Sequence, residues 1–315
     1  MTFPPPWLAA HLVRATTRWQ AVSPNARGAV WALGAVVFMS LMSVHIKYLG
    51  NELDSFEVAW FRSSLGLVMI LPFLWRAGGV SALYTRRFPK HVVRGLIAGA
   101  SILSGFYSVA HLPLATATAL GFCRPLFMVP LAILMLNEVV RGRRWSATLV
   151  GFLGVLVVVR PTDDIPVAAW AGIFSAFTTA LAMIVTKQLT TTEHPRTMIF
   201  YNGLFACLIA SGPAFYVWQW PTLEQFALLC SMAAVGAIGN SCMIRSLQAG
   251  EATLVGPIEY LRIITAAFFG FVFFSEVPTW WTAAGAAIIV ASTGYITWRE
   301  ARLGRQRPPP EEPPS

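Results

Sequence analysis

The chain has 315 residues, of which 56% are hydrophobic and only 12% charged, with a formal net charge of +9. Soluble domains carry about a quarter charged residues, so this composition excludes one and points to a protein that lives in a bilayer. The positive balance is not a nucleic-acid signal, because most Lys and Arg lie in short loops and tails, where the positive-inside rule puts them.

Residues 1–27 read as a cytoplasmic N-terminal segment. The stretch from Trp7 to Val13 is short and is followed by Arg14, Arg18 and Arg27, so it does not read as a signal peptide. Residues Trp7 to Trp19 form either a short interfacial helix or a disordered leader. Apolar runs then fall at about 28–48, 56–75, 92–111, 114–136, 145–160, 166–187, 197–217, 223–244, 252–274 and 280–298. About 20 apolar residues span roughly 30 Å as a helix, the thickness of a hydrocarbon core. The pattern predicts an all-α membrane protein with ten transmembrane helices. The tail at 300–315, ending PPPEEPPS, reads as disordered.

Ten spans place both termini on one side. The loops that share that side hold 18 of the 23 basic residues, whereas the opposite loops carry Glu52, Asp54, Asp163, Asp164, Glu224 and Glu276. This asymmetry puts both termini in the cytoplasm. Cys123, Cys207, Cys230 and Cys242 lie singly inside apolar runs, which supports neither a metal site nor a disulfide framework. No cofactor is expected.

The second half of the chain resembles the first. With a shift of 138, LATATALGFCRPLFMVPLAILMLNEV lies over ATLVGPIEYLRIITAAFFGFVFFSEV, bringing Arg124 onto Arg262 and Glu138 onto Glu276. Near the start of each half, Lys47 meets Lys187 and Phe61-Arg62 meets Tyr201-Asn202. Each half, 28–160 and 166–299, holds five spans. An odd number makes the second repeat enter the membrane inverted, an architecture recurrent in secondary transporters with substrate near the midplane.

On these repeats, and on the stretches LPLATATALGFCRPLF, GEATLVGPIEYLR and FFSEVPTWW, the chain resembles the EamA-type, ten-helix branch of the drug/metabolite transporter superfamily. The resemblance implies alternating-access transport across a bacterial inner membrane. It implies a small-molecule substrate without naming it: relatives in this branch import S-adenosylmethionine or riboflavin, or export amino acids and drugs.

Arg124 and Arg262 lie roughly 15 Å and 16 Å into their spans, half of a ~30 Å core. An arginine at that depth costs at least roughly 2.5–3.5 kcal/mol unless it faces protein, water or ligand. Glu259 precedes Arg262 by three residues, so the two can pair on one helix face, while Arg124 has Gly121 at that position. The arginines can hold a carboxylate or phosphate-like group through their planar forks. Glu259 then neutralises one arginine, takes a proton, or attracts a cationic group. The alternative is an ion pair with carbonyl contacts that fixes helix packing. Because Arg262 brings its own carboxylate, Arg124 is the better candidate for the ligand's acidic group, and Glu259–Arg262 for a gate.

Pro125, Pro130, Gly256 and Pro257 interrupt these two helices; Pro125, Gly256 and Pro257 flank the charges and suit a kink that frees carbonyls and provides a hinge. Phe122, Tyr260, Tyr107 and Trp31 are candidate aromatic walls. Arg62 either snorkels to the outer face or lines a vestibule; Lys47 and His45 have the same ambiguity. Glu57 reads as interfacial, and Asn240 and Ser241 as helix-to-helix hydrogen bonds. Gly95, Gly99, Gly151 and Gly154 suit close helix packing.

No catalytic triad, metal cluster or phosphate loop appears, so an enzyme is not expected. Two arginines and a glutamate suit an S-adenosylmethionine-like or amino-acid-like zwitterion better than neutral riboflavin. The other class is a non-transporting scaffold or channel. Expected partners are the bilayer, the substrate and, if Glu259 titrates, protons; a homodimer stays open.

Overall fold

The computed structural model describes residues 23–76, 83–136, 142–159, 165–189, 193, 195–249 and 258–304. Among these are eleven helices and no strand: α1 (Pro24–Leu49), α2 (Ser55–Arg76), α3 (Phe88–His111), α4 (Leu114–Gly121), α5 (Arg124–Leu136), α6 (Gly142–Val159), α7 (Val167–Leu189), α8 (Pro195–Tyr216), α9 (Leu223–Ala249), α10 (Leu261–Phe274) and α11 (Trp280–Gly304). Six stretches are long and apolar enough to cross a membrane, namely α1, α3, Leu114–Met135, α7, Thr197–Tyr216 and α9. Trp145–Val159 and Leu261–Phe274 are shorter apolar helices. Residues 1–22, Glu138, Gly256 and Pro257, on which several expectations fell, lie outside the described residues.

Two helices depart from the continuous spans that hydropathy suggests. The fourth run is broken after Gly121, where Phe122 and Cys123 form a turn before α5 starts at Arg124. Pro125 has no N–H, so the Gly121 carbonyl loses its i+4 donor. Around the break the bonds tighten to i−3: the Phe122 N–H donates to Ala119 O, the Cys123 N–H to Leu120 O and the Leu126 N–H to Cys123 O. The ninth run is interrupted at Tyr260, which caps α10, and the Ile263 N–H donates to Tyr260 O at 3.1 Å. Under the 138-residue shift, Phe122–Cys123 falls on Tyr260–Leu261, so both breaks occupy one repeat position. At the end of the chain, α11 runs to Gly304, past the expected 298; Arg299 and Arg302 favour the last turns of a helix, where the carbonyl end is negative.

The helices assemble through close pairs: α1 on α9, α3 on α7 and α8, α2 on α8, α6 on α11, with α10 against α1 and α4. Glycines set the closest approaches. A Cβ on Gly99 would sit 2.9 Å from Ile209 Cβ, and one on Gly154 would sit 2.9 Å from Ile288 Cγ2. The Ser292 hydroxyl donates to Ala147 O at 2.5 Å and ties α11 to α6. The main apolar core gathers Leu120, Cys123 and Leu126 with Ala169 and Ile289, so α4 and α5 are packed on both sides of the break.

Candidate functional site

A cavity of about 550 Å³ lies between α1, α3, α4, α7 and α9. Its wall includes Gly121, Phe122, Arg124, Glu259 and Arg262, residues at or beside the two helix breaks. Arg124 is the first residue of α5 and Arg262 the second of α10. Each arginine therefore belongs to the first turn of a half-helix, the end that the backbone dipole makes positive.

The expected Glu259–Arg262 ion pair is not formed. An i,i+3 pair needs an unbroken helix, and the turn at Tyr260 falls between the two residues. Arg262 lies within electrostatic reach of both Arg124 and Glu259. Yet among the described residues none of Arg124, Arg262 and Glu259 is in an ion pair, and none of their side chains has a hydrogen-bond partner. Arg262 Nε is buried with nothing to donate to. Buried charge without a partner is costly, and two cations facing one cavity make the site receptive to an anion.

The other candidates divide. Phe122 lines the cavity, and its ring meets that of Tyr260 at 5.3 Å, so the two repeat-related aromatics touch across the breaks. Tyr260 itself stands behind Phe122, outside the lining. Tyr107 also lies outside it: its ring stacks on His111 at 4.2 Å and on Phe56 at 6.2 Å, because it points to a different face of α3 from Ser108. Trp31 is likewise engaged elsewhere, beneath the Arg245 guanidinium at 4.8 Å.

Several polar residues correct the reading from sequence. Asn240 lines the cavity and bonds no other helix, and Ser241 donates to Ala237 O of its own helix. Arg62 does not snorkel outward. Cβ atoms on Gly66 and Gly236 would meet its Nη1 at 2.9 Å and its Nε at 3.1 Å, so the side chain fills a slot between α2 and α9 that these glycines leave. Glu57 is buried within the protein, accepting from the Gln219 N–H at 3.2 Å.

Lys47 resolves most clearly. Its ammonium pairs with Glu276 and donates to Leu112 O at 2.6 Å, while the other Glu276 oxygen accepts the Leu114 N–H at 2.8 Å. One buried cluster thus ties α1, the α3–α4 turn and the end of α10. Ser275, with φ of 55°, makes the left-handed turn that aims Glu276 back at it.

The EamA-like transporter family matches this chain twice, over residues 26–160 and 166–298. The S-adenosylmethionine uptake transporter of Rickettsia prowazekii is 32% identical over 283 residues, covering 90% of this chain and 96% of the relative. The pseudopaline exporter of Pseudomonas aeruginosa is 31% identical, covering 84% and 94%. The riboflavin transporter of Vibrio cholerae is 29% identical, covering 89% and 96%. A solved protein crystal structure shares the fold, with a TM-score of 0.57 at 15% identity over 90% of this chain and 100% of its own. These matches, on an all-helical chain with six membrane-capable stretches, place the protein in the EamA-like transporter family of the drug/metabolite transporter superfamily, as a multi-pass protein of the inner membrane.

Proposed function

We propose that this protein is a secondary transporter that carries a small amphoteric metabolite by alternating access, through ten spans arranged as two inverted five-helix repeats with both termini in the cytoplasm. One observation carries the reading: Arg124, Arg262 and Glu259 face a single cavity without ion-pair or hydrogen-bond partners among the described residues. The two arginines hold the substrate's carboxylate, helped by the positive ends of α5 and α10. Glu259 takes its ammonium or other cationic group, and a proton when the cavity is empty.

Charge pairing favours a molecule that carries both a carboxylate and a cationic group, such as an amino acid or S-adenosylmethionine, over neutral riboflavin, which leaves all three groups unpaired. Pro125 serves as a hinge beside Arg124. The Lys47–Glu276 cluster closes the cavity at the α3–α4 end, since it joins a helix of one repeat to a helix of the other.

Uptake and counterflow in proteoliposomes test the reading with radiolabelled S-adenosylmethionine, a set of amino acids and riboflavin. Saturable flux of an amphoteric compound is expected. Flux of riboflavin alone contradicts the charge argument, and no flux of any compound in either direction revives the scaffold.

A further inference from the structure

One cation at bilayer depth has no part in the cavity described above. Arg62 lies about 10 Å from the Ser55 end of α2, at 1.5 Å per residue. Its side chain runs deeper, since a Cβ on Gly66, one turn further on, would lie 2.9 Å from Nη1. The guanidinium therefore sits about 16 Å from that end. The α1–α2 loop and the α3–α4 turn share one side of the molecule, because a Cβ on Gly50 would lie 2.7 Å from Ala110 Cβ. Measured from that side, the Arg62 guanidinium is level with Arg124.

Arg62 is half-buried, yet among the described residues it has no ion pair, hydrogen bond or ring contact. No acidic side chain acts on it, whereas Arg262 feels both Arg124 and Glu259. Its nitrogens are not sealed: none is among the buried polar atoms that lack a partner, in contrast to Arg262 Nε. A charged side chain within a membrane span is costly unless it meets a partner, water or a ligand. Met42 divides this guanidinium from the cavity. A Cβ on Gly236 of α9 would lie 3.1 Å from Arg62 Nε, 3.3 Å from Nη2 and 2.6 Å from Met42 Sδ, so thioether and guanidinium lie side by side over one glycine. Met42 itself lines the cavity. Methionine is unbranched, with three rotatable bonds, so a rotamer change at Met42 can join slot and cavity without moving a helix.

We infer that Arg62 and the slot over Gly66 and Gly236 form a second anion site, a station that holds a carboxylate on its way to or from the cavity when Met42 swings aside. A guanidinium fork receives a carboxylate through two parallel bonds, and no described carboxylate of the protein competes for this one. The carboxylate is that of the transported molecule, so the inference rests on the proposed seating of that group at Arg124 and Arg262.

Arginine footprinting of the full-length protein in nanodiscs tests the station. Phenylglyoxal modifies guanidinium groups, and peptide mass spectrometry reads each arginine separately. Acetate is the carboxylate probe, exchanged for chloride at constant ionic strength, and acetamide is its neutral counterpart. In the wild type Arg62 is labelled, and acetate slows that labelling at least about threefold, as mass action requires of an occupied site; acetamide does not. Met42→Ala speeds the labelling of Arg62. Gly236→Ala, whose methyl fills the slot, weakens the protection of Arg62 by acetate and keeps that of Arg124. An Arg62 that stays unlabelled while Arg124 reacts, or that acetate protects no better than acetamide, overturns the station. If acetate protects Arg124 and Arg262 but not Arg62, the station falls and the cavity reading stands. If it protects Arg62 but neither of the others, the cavity reading falls and the anion site at Arg62 stands.

Discussion

Residue by residue, the structure separates charges paired within the protein from charges without a partner among the described residues, which we propose hold the ligand. Lys47 and Glu276 belong to the first kind, with side chains 11% and 18% exposed, paired with each other and each bonded to one backbone group. Removing one partner of such a pair strands the other, at about 3 kcal/mol. Lys47→Met therefore lowers the melting temperature in detergent, and Lys47→Met with Glu276→Gln costs less than the sum of the single changes; strict additivity in that double-mutant cycle contradicts a coupled pair. Arg124, Arg262 and Glu259 belong to the second kind. These three and Phe122 were legible in the sequence, because a charge halfway along an apolar run is an energetic anomaly. The Lys47–Glu276 contact and the slot that holds Arg62 were illegible, because both depend on which distant helices become neighbours.

The element that decides the site is the broken helix. Hydropathy placed every run to within a few residues at most ends, since a membrane span is defined by apolar length. It did not show that the runs containing Arg124 and Arg262 are each two pieces, because breaking a helix changes hydrogen bonds and not composition. Pro125 was the visible signal on the first; at Tyr260, no proline marks the turn itself. The expected Glu259–Arg262 pair failed at this scale, undone by that turn. Pro125→Ala restores an N–H for the Gly121 carbonyl and favours a continuous α4–α5 helix. The variant is expected to be more heat-stable and to transport more slowly, with insertion unchanged. Unchanged turnover alongside a raised melting temperature contradicts a mechanical role for the break.

At the level of the whole molecule, two repeat-related arginines on two half-helices converge on one cavity, with one glutamate to balance them. The site carries one more cation than anion, an excess that a substrate carboxylate offsets. If Glu259 takes the proton, uptake in proteoliposomes varies with internal and external pH in the wild type, and Glu259→Gln removes that variation while keeping some transport; a variant as pH-sensitive as wild type assigns the proton elsewhere. The proposed inverted topology rests on the odd number of predicted spans per half and on the basic loops. The central claim is that Arg124 and Arg262 grip the substrate's acidic group. The most direct measurement is initial-rate uptake of labelled S-adenosylmethionine by equal amounts of inserted wild type, Arg124→Ala and Arg262→Ala in proteoliposomes. The account predicts that each variant loses at least about tenfold in kcat/KM, the worth of one charge-assisted hydrogen bond. Wild-type uptake by either variant would contradict it.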